Sequence, residues 1–313
     1  MSLPESAPEA LVPPATTPAV NDGRNGALAA LLAYTLWGFL PLLFRLLEAA
    51  GALLIVAERT IWSLLLLAAI LAVSGGFGEV RALFADRRRL FGTLVSAVLL
   101  AGNWLLYVWA VETGQVLEAS FGYFINPMVS VLMGMVLLGE RQNRLQTVSI
   151  VIAAIAIAIQ AAGLGNVPYV ALGLALSFGL YGYFRKTAHL GPASGLFAET
   201  ALMAPVAMGY VLYSLMSVGP GVHADPYLMT LMVLTGPATA IPLLLFAFAV
   251  RRLRLTTIGM FQYVAPTLQF LVAIFLFGEH LNGVRLLSFG LIWVSLIVFS
   301  YDSFRRRQGA AAA

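Results

Sequence analysis

The sequence predicts an all-α integral membrane protein: ten transmembrane helices arranged as two inverted five-helix repeats. Three observations carry that expectation. The 313 residues are 60% hydrophobic and 10% charged, with a mean hydropathy of +0.90, whereas soluble globular chains carry roughly 25% charge. Apolar stretches of about 20 residues, the length that crosses a bilayer core, recur along the whole chain. Two segments 139 residues apart also resemble each other.

Taken in order, residues 1–25 are rich in Pro, Ala, Ser and Thr and read as a disordered cytoplasmic tail. They lack the basic stretch and apolar core of a secretory signal. The expected spans are 26–47, 53–74, 90–111, 117–138, 145–163, 167–186, 194–217, 227–249, 257–278 and 283–303, followed by a cytoplasmic tail at 304–313. Their interiors are Leu-, Ala- and Val-rich without the alternation of barrel strands. Gly and Pro, 29 and 15 in number, are tolerated in such helices because neighbouring helices re-satisfy the backbone.

Charge orients the spans. With the N-terminus placed in the cytoplasm, 15 of the 18 Lys and Arg fall on that side. They are Arg24, Arg81, Arg87, Arg88, Arg89, Arg141, Arg144, Arg185, Lys186, Arg251, Arg252, Arg254, Arg305, Arg306 and Arg307. Arg45 and Arg285 fall outside, and Arg59 lies within a span. Cytoplasmic loops carry this excess in membrane proteins, so both termini are expected in the cytoplasm of a bacterial inner membrane. The net charge of +4 is therefore a matter of topology, and no nucleic-acid partner is expected.

The repeat pairs YFINPMVSVLMGMVLLGERQ (123–142) with QYVAPTLQFLVAIFLFGEHL (262–281), matching Pro127 to Pro266 and Gly139-Glu140 to Gly278-Glu279. YVWAV (107–111) matches FAFAV (246–250) at the same offset. The halves, 26–163 and 167–303, each hold five expected spans. An odd number turns the second half upside down, the architecture of many secondary transporters, whose sites lie between the halves near the midplane.

The chain resembles the EamA branch of the drug/metabolite transporter superfamily, and within it the RarD-like (chloramphenicol-sensitive protein) permeases. The resemblance runs through most of residues 25–304 and rests on WGFLP (37–41), ERTIWS (58–63), GNWLLYVWAV (102–111), LEASFGYFINP (117–127), GERQ (139–142), LALSFGLYGYFRK (174–186), RLRLTTIGMFQYVAPTLQFL (252–271) and FGEH (277–280). It implies two inverted five-helix repeats in the inner membrane. Relatives of this type often carry His where this chain has Glu58.

Candidate site residues are the polar groups at membrane depth, because an ionisable side chain there costs about 2.5–3.5 kcal/mol unless paired or hydrated. Glu58 and Arg59 lie about 8 Å into the second span at 1.5 Å per residue, and Glu199 lies at similar depth in the seventh. Arg59 is expected to line the cavity and to face Glu199 or Glu58, serving an anionic or zwitterionic substrate; a structural ion pair and a snorkelling pair are the alternatives. Asn103 and Tyr107, Tyr123 and Asn126, and Gln262 and Tyr263 offer hydrogen bonds to a ligand, with helix–helix bonding as the alternative. Trp37 and Tyr181 offer stacking surfaces. Pro127 and Pro266 are expected to kink their helices at matched positions.

Cys is absent and the three His lie near segment ends, so no metal or cofactor is expected and the chain is not expected to be an enzyme. No phosphate-binding GxxxxGK[ST] motif occurs. The expected function is a secondary transporter exporting a small metabolite or drug by alternating access, with a coupling proton on Glu58 or Glu199 and the bilayer as surroundings. The alternatives are a passive channel or lipid scramblase, or a membrane-embedded enzyme.

Overall fold

A computed structural model of the chain describes residues 20–113, 115–162, 168–276 and 283–311, and these residues contain helices and no strand. In bilayer hydrocarbon every backbone N–H and C=O must be satisfied within the protein, which leaves helices as the economical solution for these apolar stretches. The helices are α1 (Val20–Leu46), α2 (Ala52–Ser74), α3 (Phe77–Ala85), α4 (Arg87–Glu112), α5 (Val116–Leu137) and α6 (Arg144–Ala162). They continue as α7 (Tyr169–Thr187), α8 (Pro192–Ser217), α9 (Pro226–Val250), α10 (Leu255–Gln262), α11 (Val264–Phe275) and α12 (Gly283–Ala311). Among the described residues, six segments are long and apolar enough to cross a membrane: Asp22–Leu46, Ala52–Ser74, Arg87–Tyr107, Arg144–Ala162, Pro192–Ser217 and Pro226–Val250. This is a multi-pass membrane protein.

Local chemistry sets the helix ends. Gly75 takes the left-handed conformation (φ 71°) that closes α2. Pro192 and Pro226 open α8 and α9, where a missing N–H costs nothing. Asp225 caps α9 by accepting from the Tyr227 and Leu228 amides.

The helices depart from the sequence reading at four places. Helix α1 begins at Val20, so the stretch expected to be disordered through residue 25 is partly helical. Helix α12 runs on to Ala311, through the tail expected from 304, because its Arg, Gln and Ala residues are good helix formers. A short helix, α3, occupies the connection after α2 and buries Val80 and Leu83, which lie on one face. The ninth expected span is two helices, α10 and α11, divided at Tyr263. Pro266 explains the division: it has no N–H for the Gln262 carbonyl, and its ring crowds that carbonyl. By contrast α5 runs through Pro127 as one helix. Gly278, Glu279 and His280 lie outside the described residues.

Helices far apart in sequence are interleaved. α5 packs along α7 and α10; α2 lies against α8 and α9; α1 lies against α9 and α11; α6 pairs with α12; and α4 rests on α7 and α8. Two glycines make the closest approaches possible. A Cβ on Gly259 would fall 2.5 Å from the Pro127 carbonyl oxygen, and one on Gly236 would fall 2.6 Å from the Trp62 carbonyl carbon. Such small-residue contacts let membrane helices approach backbone to backbone. Glu140, just beyond α5, caps α10. Its carboxylate accepts from the amides of Leu255 (2.6 Å) and Thr256 (2.9 Å) and from the Thr256 hydroxyl (2.6 Å).

Candidate functional site

A cavity of about 260 Å³ opens in the middle of this bundle, with walls from α1, α2, α4, α5, α7, α9, α10 and α11. Its lining is aromatic and amide-rich. α1 contributes Tyr34 and Trp37, α4 contributes Asn103, Trp104 and Tyr107, and α5 contributes Tyr123 and Asn126. α10 and α11 add Gln262, Pro266 and Gln269, and α2 adds one charge, Arg59.

The placement of Arg59 follows from how α2 meets α9. Gly236 lets the two backbones touch, and the Ser63 hydroxyl donates to the Gly236 carbonyl at 3.1 Å. One turn before Ser63, Arg59 is thereby aimed inward from the same face. It is 6% exposed, its guanidinium carbon lies 3.5 Å from the centre of the Trp104 ring, and its Nε and Nη1 are buried without a hydrogen-bond partner. Trp104 in turn meets Tyr107 edge-on at 6.1 Å, and Tyr107 lies 5.9 Å from Tyr123.

The expected partnership of Arg59 with Glu199 or Glu58 is not what forms. Both carboxylates are committed to other groups. Glu58 accepts from Trp62 Nε1 (2.9 Å) and meets His223 Nε2 (2.7 Å), which arrives on the short 3-10 turn Gly221–Ala224 before α9. Glu199 accepts from the Ser96 hydroxyl (2.6 Å), Tyr181 (3.3 Å) and Arg185 Nη1 (3.4 Å). Arg185 also donates to the Pro192 carbonyl at 3.1 Å and is buried. Counted from sequence only among the charges of the cytoplasmic side, Arg185 is one half of a buried ion pair. Its place four residues after Tyr181, on the same helix face, was the available signal.

The other expected residues divide into two groups. Trp37, Asn103, Tyr107, Tyr123, Asn126 and Gln262 join Arg59 around the cavity. Asn103 also donates to the Leu174 carbonyl (2.8 Å) and to Ser177 (2.9 Å), which ties α4 to α7. Gln262 accepts from Ser130 at 3.0 Å, and Asn126 Oδ1 is buried without a partner. Tyr181, Tyr263, Glu58 and Glu199 lie outside the lining of this cavity. Tyr181 stacks on Phe246 at 5.9 Å, and Tyr263 is fully buried beside Phe124. Trp104 and Gln269 complete the site; Gln269 donates to the Trp37 carbonyl at 3.2 Å.

A second cavity adjoins the first, and a third meets the second at Glu199. The second, of about 440 Å³ and almost wholly apolar, lies among α2, α4, α8 and α9 and has Arg59 on one wall and Glu199 on another. The third, of about 580 Å³, is polar, lined by Arg88, Arg89, Arg185 and His189 together with Asp86, and again reaches Glu199.

Comparison with known proteins identifies the family. Residues 24–161 match the EamA-like transporter family. An uncharacterized transporter of Vibrio cholerae is 39% identical over 95% of this chain and 99% of its own. The protein RarD of Salmonella typhimurium is 41% identical over 90% of this chain and 96% of its own.

The chain belongs to the EamA-type, RarD-like permeases.

Among solved structures, a crystal structure of a protein 20% identical superposes with a TM-score of 0.69, over 87% of this chain and 96% of that one. That likeness is one of fold. As a permease of this family the chain is a membrane transporter, and transporters of this family handle small molecules.

Proposed function

We propose that this permease exports a small metabolite or drug across the bacterial inner membrane by alternating access. In this reading the chain crosses ten times, residues 26–163 and 167–303 are inverted five-helix repeats, and both termini face the cytoplasm. The central cavity is the substrate site, and the observation that carries the reading is its construction. Four helices of the first repeat (α1, α2, α4 and α5) and four of the second (α7, α9, α10 and α11) supply its walls. A cavity shared by two similar halves opens to either side when they exchange conformations. Arg59, Trp37, Asn103, Tyr107, Tyr123, Asn126 and Gln262 are the residues assigned to the substrate. Glu58 and Glu199 are assigned to the coupling proton; Glu199 lines the two neighbouring cavities.

The test is uptake by everted membrane vesicles, where export appears as accumulation. Vesicles containing the protein should accumulate substrate saturably and show counterflow, and Glu58→Gln or Glu199→Gln should lose uphill accumulation. Flux that rises linearly to millimolar solute, without counterflow, would replace the transporter with a passive pore.

A further inference from the structure

The central cavity contains a cation that the protein leaves unneutralised. Arg59 is 6% exposed, and two of its three guanidinium nitrogens are buried with no partner. No Asp or Glu is among the described residues lining that cavity. The carboxylate next to it in sequence, Glu58, is engaged by Trp62 and His223, and Glu199 is engaged by Ser96, Tyr181 and Arg185. A buried, unpaired charge is among the costliest arrangements in a protein, and it persists where something else supplies the counter-charge. Trp104 meets the guanidinium carbon with its π face at 3.5 Å, while Nε and Nη1 keep their N–H groups free to donate.

We infer that the substrate is a small organic acid: a monoanion whose carboxylate, or similar oxyanion, is taken by Arg59 and whose flat apolar body lies against Trp37 and Trp104. The inference rests on the central cavity being the transport site. The chemistry selects an acid in three ways. A guanidinium presents a planar fork of donors that matches a carboxylate bidentately. An organic cation would meet Arg59 with like charge in a medium of low dielectric. An amino-acid zwitterion would need an anionic partner for its ammonium, and the lining offers it only neutral acceptors such as Asn126 Oδ1.

The test compares four molecules that share a phenyl ring and differ in charge, on the full-length chain purified in detergent: phenylacetate, phenylacetamide, phenethylamine and phenylalanine. Binding is read by melting temperature and by tryptophan fluorescence, which Trp37 and Trp104 report. Phenylacetate should raise the melting temperature and bind at least about tenfold more tightly than its amide, the difference one charge-assisted contact makes. Arg59→Gln should abolish the preference for the acid, whereas Arg59→Lys, which keeps the charge but not the fork, should retain it with weaker binding. Phenethylamine or phenylalanine binding as tightly as phenylacetate would overturn the inference. So would an Arg59→Gln protein that still prefers the acid, or the absence of any response to phenylacetate. Proteoliposome flux separates this from the transport reading: saturable movement of the amine would preserve the transporter and remove the acid, while acid binding without flux would do the reverse.

Discussion

Two arginines show how differently the same side chain can be used within one bundle. Arg185 is half of a buried pair with Glu199, supported by Ser96 and Tyr181, whereas Arg59 touches an aromatic face and otherwise faces a cavity. Removing one member of a buried pair strands the other, at a cost of about 3–5 kcal/mol. Glu199→Ala should therefore lower the melting temperature of the purified protein markedly. Arg59→Ala strands no carboxylate, so it should express and melt near the parent while transport is lost. Equal loss of folded protein in both variants would mean that Arg59 is structural. The sequence puts Glu58, Arg59 and Glu199 inside long apolar stretches, because hydropathy reports where such a stretch begins and ends. It did not show their partners, because pairing depends on the rotation of each helix about its axis, which a chain this uniformly apolar barely encodes. Hence the sequence does not give Arg59 its surroundings, nor does it pair Arg185, two residues before the end of α7, with Glu199.

At the scale of elements, helices lie over the stretches that hydropathy marks, and the misses are where another force acts. Helix α3 is too short for a hydropathy window and is held by Val80 and Leu83 on one face. The division between α10 and α11 comes from Pro266, yet Pro127, its sequence counterpart, lies inside an unbroken α5. A proline therefore permits an interruption, and packing decides whether it occurs. The start of α10 is held by Glu140, which satisfies the Leu255 and Thr256 amides that no helical carbonyl can reach. Glu140→Ala should destabilise the protein by about 1–2 kcal/mol, as loss of a good cap does. Hydrogen exchange should quicken first at Leu255 and Thr256. Unchanged exchange there would show that the cap contributes nothing. The Gly-Glu motif that stood out in the sequence thus has a visible structural task in its first copy.

For the whole molecule, the proposed topology has a consequence that labelling can read directly. An alternating-access bundle closes one end with contacts that it must break to open that end. One candidate set is the Glu58–His223 contact beneath the loop between α8 and α9. At the opposite end of α8, Arg251 donates to the Leu190 carbonyl at 2.6 Å and Lys186 donates to the Val250 carbonyl at 3.1 Å. If α8 crosses the bilayer with its basic end inside, Thr187 and Val218, which flank it, lie on opposite sides of the membrane. The chain has no Cys, so a single introduced thiol is an unambiguous reporter. In intact cells a membrane-impermeant maleimide should label Val218→Cys and spare Thr187→Cys, and everted vesicles should reverse the pattern. Labelling of both from one side would mean that α8 does not cross, and the reverse sidedness would place the basic loops outside. The first result would remove the inverted arrangement and, with it, the reason for two halves to share one cavity; the second would keep it and move both termini to the outer side.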